Sequence, residues 1–284
     1  MPLGPIVDSH VHLWDPTRFR MPWLDGNERI GKPFGLAEFR EHSASIEVEG
    51  IVYLQVEVTP PYALLEAQWV ADQPADGPPI LGIVPWAPLE DGDRARSFLD
   101  AMVAIDPRIK GIRRLYQSEP DLDFCIRPDF IRGVQILPEY GLSFDLGVFN
   151  QHLKNTITLV RACPDVSFVL DHIGKPDIKG GMVQPWRDEI RELASFPNLV
   201  CKVSGMVTEA DPDAWTTTDL RPYVEHVLES FGEDRVMFGG DWPVVLMASP
   251  YRRWVEALDE ITAGLSDAAK RKLWNANARR FYRL

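Results

Sequence analysis

Short apolar, β-branched runs recur along the whole chain, and between them lie spacers long enough for one crossover helix each. The runs are "PIVDSHVHLWDP" (5–16), "GIVYLQVEV" (50–58), "ILGIVPWAPL" (80–89), "KGIRRLYQ" (110–117), "LSFDLGVF" (142–149), "VSFVLDHIG" (166–174), "LVCKVSGM" (199–206) and "RVMFGGDWPV" (235–244). Helix-period segments fall between them, among them 92–105, 152–163, 186–196 and 220–232. Parallel strands need such crossovers, so eight strand–helix units without a Pro- or Gly-rich linker predict one (β/α)8 barrel domain over residues 1–284. The tail from Pro250 reads as two helices broken at "AGLSD", with Ser266 or Asp267 capping the second. An open doubly wound sheet is the alternative, but no Gly-x-Gly-x-x-Gly follows any run to give it a dinucleotide site.

Charge and cysteine usage narrow the function. The formal net charge is −12, with bases interleaved among acids, which argues against nucleic acid or anionic membrane as a partner. No 18-residue apolar run could span a bilayer, and the N-terminus lacks a basic region followed by an apolar stretch, so a cytoplasmic location is expected. Cys125, Cys163 and Cys201 are far apart and form no Cys-x-x-Cys pair, so they are expected to be reduced and buried. Association into homo-oligomers is left open.

The first run breaks a rule of strand construction, because His10 and His12 interrupt it. In an extended strand they share a face, with Ser9 and Val11 on the other, so two imidazoles converge on one spot. That is a start for a metal site or for a carbonyl-polarising site. Barrel chemistry sits at the C-terminal strand ends. The other polar intrusions fall there: Gln55 and Glu57 on strand two, Trp86 on strand three, Arg113 and Arg114 on strand four. They continue with Asp145 midway along strand five, Asp171 and His172 on strand six, Lys202 and Ser204 on strand seven, and Asp241 on strand eight.

His172 leaves the core after "FVL" and is read as opening onto the rim shared by His10 and His12, with Asp171 orienting a ring from behind. Asp241 suits a general base that activates water, although an N-cap role before Pro243 is the competing reading. Of Arg113 and Arg114, one is expected in the pocket as an anion or carbonyl donor and the other in the helix layer. Lys202 and Lys175 are read either as binding substrate oxygens or as solvated rim charges. Trp14, Trp86 and Trp242 are read as packing or as a sugar platform. His42 and His226 are expected on helix surfaces, and His152 outside the site.

"DSHVHLW", "VLDHIGKP", "CKVSGMVTEAD" and "FGGDWPV", in that order, resemble the sugar-lactone hydrolases of the amidohydrolase superfamily, the group that includes L-fuconolactonase and L-rhamnonolactonase. The resemblance implies a distorted (β/α)8 barrel that opens a lactone ring with water, releasing a sugar acid. His10, His12, His172 and Asp241 match the superfamily's active-site positions, and Gln55 and Arg113 look like pocket residues. Two-metal members need a bridging Lys or Glu late in strand four and a His ending strand five. Here Lys110 comes too early and "LSFDLGVF" has no His. The expectation is therefore one divalent ion, such as zinc, on His10, His12 and Asp241 with or without His172, or metal-independent catalysis. Asp241 would take a proton from water, while the histidines, Arg113 or the ion polarise the carbonyl. Gln55, Asp145 and Ser204 suit substrate hydroxyls. The rivals are a single-metal decarboxylase or pyrone-dicarboxylate lactonase acting on anionic substrates, and a non-catalytic barrel that binds a sugar acid.

Overall fold

The structure, a computed structural model, describes residues 1–181 and 183–284. Strands β1 (Ile6–Val11), β2 (Val48–Leu54), β3 (Ile80–Val84), β4 (Gly111–Ile112), β5 (Ser143–Leu146), β6 (Phe168–Leu170), β7 (Leu199–Val203) and β8 (Val236–Phe238) all pair in parallel, each with its neighbour in sequence. They form two arcs, β1–β3 and β4–β8. At one seam Lys110 N–H donates to the Ile83 carbonyl at 2.9 Å. At the other, His12 N–H donates to the Trp242 carbonyl at 2.7 Å and Asp241 N–H to the His10 carbonyl at 2.8 Å. The ring thus closes through single bridges, and one of those seams lies beside the expected catalytic residues.

The strands are shorter than the runs that announced them. Strand four is the extreme case: β4 stops at Ile112, so Arg113 and Arg114 already belong to the loop that leaves the barrel. The helix expected at 152–163 lies at Leu153–Ala162, and that expected at 186–196 lies at Trp186–Ala194. The third begins early, at Thr217, because Thr216 and Asp219 cap it reciprocally. Ser266 Oγ accepts from Ala269 N–H at 3.1 Å and starts the final helical stretch, as expected of a cap. Among the described residues no helix is long and apolar enough to cross a membrane.

Val7, Val52, Leu54, Val84, Val169 and Met237 fill the barrel interior together with Ala278 and Tyr282, which come from the helix Asn277–Tyr282. Ile51, Tyr53, Ile83 and Phe168 alternate outward into the larger core beneath the helices. On β1 the parity changes: Val7 points inward, yet so do His10 and His12, because the pairing with β2 shifts register between Asp8 and Val11. Asp8, next to Val7 and before the shift, faces outward by ordinary alternation, where it accepts from Gly240 N–H at 2.7 Å and from the Tyr251 hydroxyl at 2.9 Å. The three cysteines are buried and free. His226, expected at the surface, is instead buried and its ring contacts the Arg187 carbonyl at 2.8 Å. It shares a helix face with Tyr223, three residues before it, and that face packs inward.

Candidate active site

A cavity of about 590 Å³ opens over the C-terminal ends of the strands, and His12, His172, Asp241 and Arg113 form part of its floor. Register on β1 and the loops after β6 and β8 converge these groups. Asp241 and His172 both hold left-handed backbone angles, φ 53° in each case, a conformation that L-residues adopt at a cost and that here turns both side chains toward β1.

Three imidazole nitrogens surround one carboxylate oxygen. Asp241 Oδ1 lies 3.4 Å from His12 Nε2, 3.8 Å from His10 Nε2 and 3.9 Å from His172 Nε2, and the two nitrogens of His10 and His12 are 3.2 Å apart. Hydrogen bonds behind the rings orient them. His12 Nδ1–H donates to the Leu54 carbonyl at 2.8 Å, which leaves its Nε2 as a lone pair facing Asp241. His10 Nδ1 is 3.3 Å from Asp171 Oδ1, and His172 Nδ1 pairs with Ser204 Oγ at 2.9 Å. Burial drives all three imidazoles below the ordinary histidine range. For His10 the charges of Lys202 and Arg113 add to it, and for His12 Asp241 pulls the other way. The cluster is therefore three imidazoles biased toward their neutral form around a carboxylate, with the lone pairs of His10 and His12 at Nε2.

That donor set fits one metal ion. A tetrahedral zinc with bonds of about 2.0–2.1 Å sets its ligand atoms about 3.3–3.4 Å apart; His10–His12 and His12–Asp241 are close to that at 3.2 and 3.4 Å, and His10–Asp241 is wider at 3.8 Å. A second grouping, His10, Asp171 and His172, also brings its ligand atoms within 4.8 Å of one another. There, however, Asp171 already faces two cations, Lys202 Nζ at 3.1 Å and Arg113 Nη1 at 3.2 Å, which an ion would have to displace. Burial raises the Asp171 carboxyl, but these two charges outweigh it and hold it below the usual range.

Several residues expected to touch substrate lie beneath the floor instead. Lys202 is fully buried and donates to Asp145 Oδ2 at 2.7 Å, and the Tyr282 hydroxyl donates to the same oxygen at 2.5 Å from below. Neither Lys202 nor Asp145 reaches the cavity: a charged residue in mid-strand points into the barrel interior, and here the interior is filled. Ser204 is occupied behind His172, and Gln55 is buried beside Glu57. His10, too, stands behind His12, shielded from the cavity.

Arg113 enters the floor, but its Nη atoms go to Asp171, the His10 ring and the Gln55 carbonyl, so it braces the cluster. Arg114 lines the cavity mouth as well, so neither arginine joins the helix layer as alternation required of one of them, because β4 has already ended. It is held by Glu90 Oε1 at 2.9 Å and Glu119 Oε1 at 2.7 Å. Trp86 and Trp14 face the cavity, whereas Trp242 is packed between Phe34 and Phe39. Sequence reasoning missed Trp23, Glu90, Gln117 and Glu119 as wall residues. They come from loops after β1, β3 and β4, where no periodicity marks them. Only nearness to a strand end could have pointed to them.

Parallel barrel, mouth cavity and a His-x-His, His, Asp cluster define the class, a barrel hydrolase with room for one metal. The chain belongs to the amidohydrolase family, whose model matches residues 7–284. It is similar to the L-fucono-1,5-lactonase of Burkholderia multivorans, at 30% identity over 98% of this chain and 96% of that protein. The L-fucono-1,5-lactonase of Burkholderia ambifaria is 28% identical over 98% of this chain and 95% of its own length. A crystal structure of an amidohydrolase from Burkholderia multivorans with bound zinc superimposes with a TM-score of 0.87 at 27% identity, covering 99% of this chain and 100% of that one.

Proposed function

We propose that the protein hydrolyses sugar lactones to the open sugar acids. Water adds to the lactone carbonyl while Asp241 Oδ1, ringed by neutral imidazoles, takes its proton. The tetrahedral oxyanion is met by His172 Nε2–H, the tautomer selected when Ser204 donates its hydroxyl to Nδ1. His12 cannot share that donor role, because its one proton is committed to Leu54. Collapse breaks the ring C–O bond, and the proton held by Asp241 passes to the departing ring oxygen, giving a hydroxyl and a carboxylic acid. His10, His12 and Asp241 would hold a divalent ion, which when bound would polarise the carbonyl or acidify the water.

One observation carries the choice of substrate class: neither arginine at the cavity is free. Arg114 is matched by two glutamates and Arg113 by Asp171 and the Gln55 carbonyl, so no guanidinium is left to anchor a substrate carboxylate. Lys175, which donates to the neutral Gln117 Oε1, is then the one lining cation among the described residues without a carboxylate partner, which is too few for a pyrone dicarboxylate and favours a neutral, hydroxyl-rich lactone. Similarity to the two L-fucono-1,5-lactonases supports the same reading. A pH-indicator assay over a panel of aldonolactones, with γ-butyrolactone and a pyrone dicarboxylate as controls, is the test. Aldonolactones are expected to react fastest; preference for the dicarboxylate would install the anionic-substrate reading, and binding of lactones without turnover would make the barrel a sensor.

A further inference from the structure

Four carboxylates line the cavity: Glu57, Glu90, Glu119 and Asp241. Two are neutralised by Arg114, and one sits among the imidazoles. Glu57 is the remaining one. Its Oε1 accepts from Gln55 Nε2 at 3.2 Å, while the cations nearest the wall are committed elsewhere, Arg114 to Glu90 and Glu119 and Lys175 to Gln117 Oε1 at 2.8 Å. Oε2 of Glu57 makes no hydrogen bond or ion pair among the described residues.

The chain goes to some length to hold this carboxylate. Gln55 spends both ends of its buried amide on Glu57, since its Oε1 also accepts the Glu57 backbone N–H at 2.5 Å. Glu57 itself has φ 56°, in the left-handed region that a side chain with a Cβ adopts only against resistance. Among the described residues, the non-glycine ones in that region are Glu57, His172, Ile173, Lys175, Asp241 and Arg283, and four of these six line the cavity. Two of those four, His172 and Asp241, are in the proposed catalytic cluster. The backbone conformation that aims them also aims Glu57.

We propose that Glu57, positioned by Gln55, accepts a hydrogen bond from a ring hydroxyl of the substrate and sets the preference for polyhydroxylated lactones. This rests on the sugar-lactone reading above and adds the residue that enforces it. An acceptor oxygen without a counter-charge in a half-buried wall binds O–H donors strongly. It repels a carboxylate, and it gains nothing from an unsubstituted ring.

The test compares an aldono-1,5-lactone with δ-valerolactone, which has the same ring and no hydroxyls, in wild type, Glu57→Gln and Glu57→Ala. Loss of a charge-assisted hydrogen bond is expected to lower kcat/KM for the aldonolactone by on the order of 10- to 100-fold, more in Ala than in Gln. Activity on δ-valerolactone is expected to stay within about twofold, because the groups that act on the carbonyl are untouched. Thermal melting of both variants checks that they fold. Equal losses on the two lactones, or no loss on either, would overturn the assignment. A second arm measures calorimetric binding of a glyconolactam, the amide analogue of the lactone, to the same proteins. Weaker lactam binding in the variants supports Glu57 even if the wild type turns over no lactone, an outcome that would sink the lactonase reading alone. Unchanged lactam binding counts against Glu57.

Discussion

Beneath the cavity floor and around its rim the protein builds two charge networks from the same residue types, for opposite ends. Under the floor, Asp145, Lys202 and Asp171 are shut away from water, with Arg113 roofing them from the floor itself and Tyr282 sealing them from below. At the rim, Glu90 and Glu119 remain roughly a third exposed around Arg114. Buried charges without partners are heavily penalised, so the lower network is committed to holding its shape. Water softens every interaction at the rim, so charge there is available for choosing a substrate with little structural consequence. Rigidity below and selectivity above meet at Asp241.

The largest effect is expected where the two regions meet. Asp241→Asn keeps the shape but removes the proton acceptor, and kcat should fall by about 10²–10⁴-fold with the melting temperature nearly unchanged. Near-wild-type kcat/KM would remove Asp241 from the mechanism. Below the floor, Lys202→Met leaves Asp145 and Asp171 short of a cation and should cost about 3–5 kcal/mol in chemical denaturation. A loss under about 1 kcal/mol would erase the distinction between the networks.

Glu66 sharpens the comparison because it is a buried acid with no cation of its own. It accepts from the Tyr53 hydroxyl at 2.7 Å and from Val56 N–H at 3.0 Å, and burial pushes its carboxyl from 4.5 up to about 7. The folded state thus holds this proton more tightly than the unfolded chain does. The resulting stability is fully present below pH 4.5 and is lost as pH rises through about 7. The loss amounts to about 3 kcal/mol. Glu66→Gln should flatten that slope in denaturation curves taken across this window, and an unaltered slope would assign it to another group. The smallest effect belongs to the rim. Glu119→Gln frees part of Arg114 and should lower KM for an anionic lactone by about two- to fivefold, with a stability change within about 1 kcal/mol. A tighter fit for neutral lactones instead would contradict the gating role given to charge there.

Existence of the strands was legible because each is a β-branched run long enough to cross the barrel. Their ends were not, because exit loops are buried as well and the apolar signal continues past the last ladder bond, as "GVF" does beyond Leu146. His10, His12, His172 and Asp241 could be picked out since each interrupts an apolar run, and the structure brings all four together. The same logic misplaced Asp145 and Lys202. Mid-strand charges do mark the barrel interior, but whether that interior reaches substrate depends on what fills it. Here the filling comes from Tyr282, which no local pattern connects to strand five. Glu57 was noted beside Gln55, but Gln55 was given the place at the cavity that the structure gives to Glu57, because hydrogen bonds that turn a side chain back onto its neighbour leave no trace in spacing.

Order of synthesis gives the Tyr282 seal a further meaning. Asp145 leaves the ribosome 137 residues before the phenol that covers it. Until then a nascent barrel, even with β1 to β8 emerged, stands open at its base, with an acid and an ammonium exposed to water they will later exclude. Completion of the interior is therefore a late event in the life of each chain, and a stall or cleavage short of Tyr282 leaves a protein whose floor is wet.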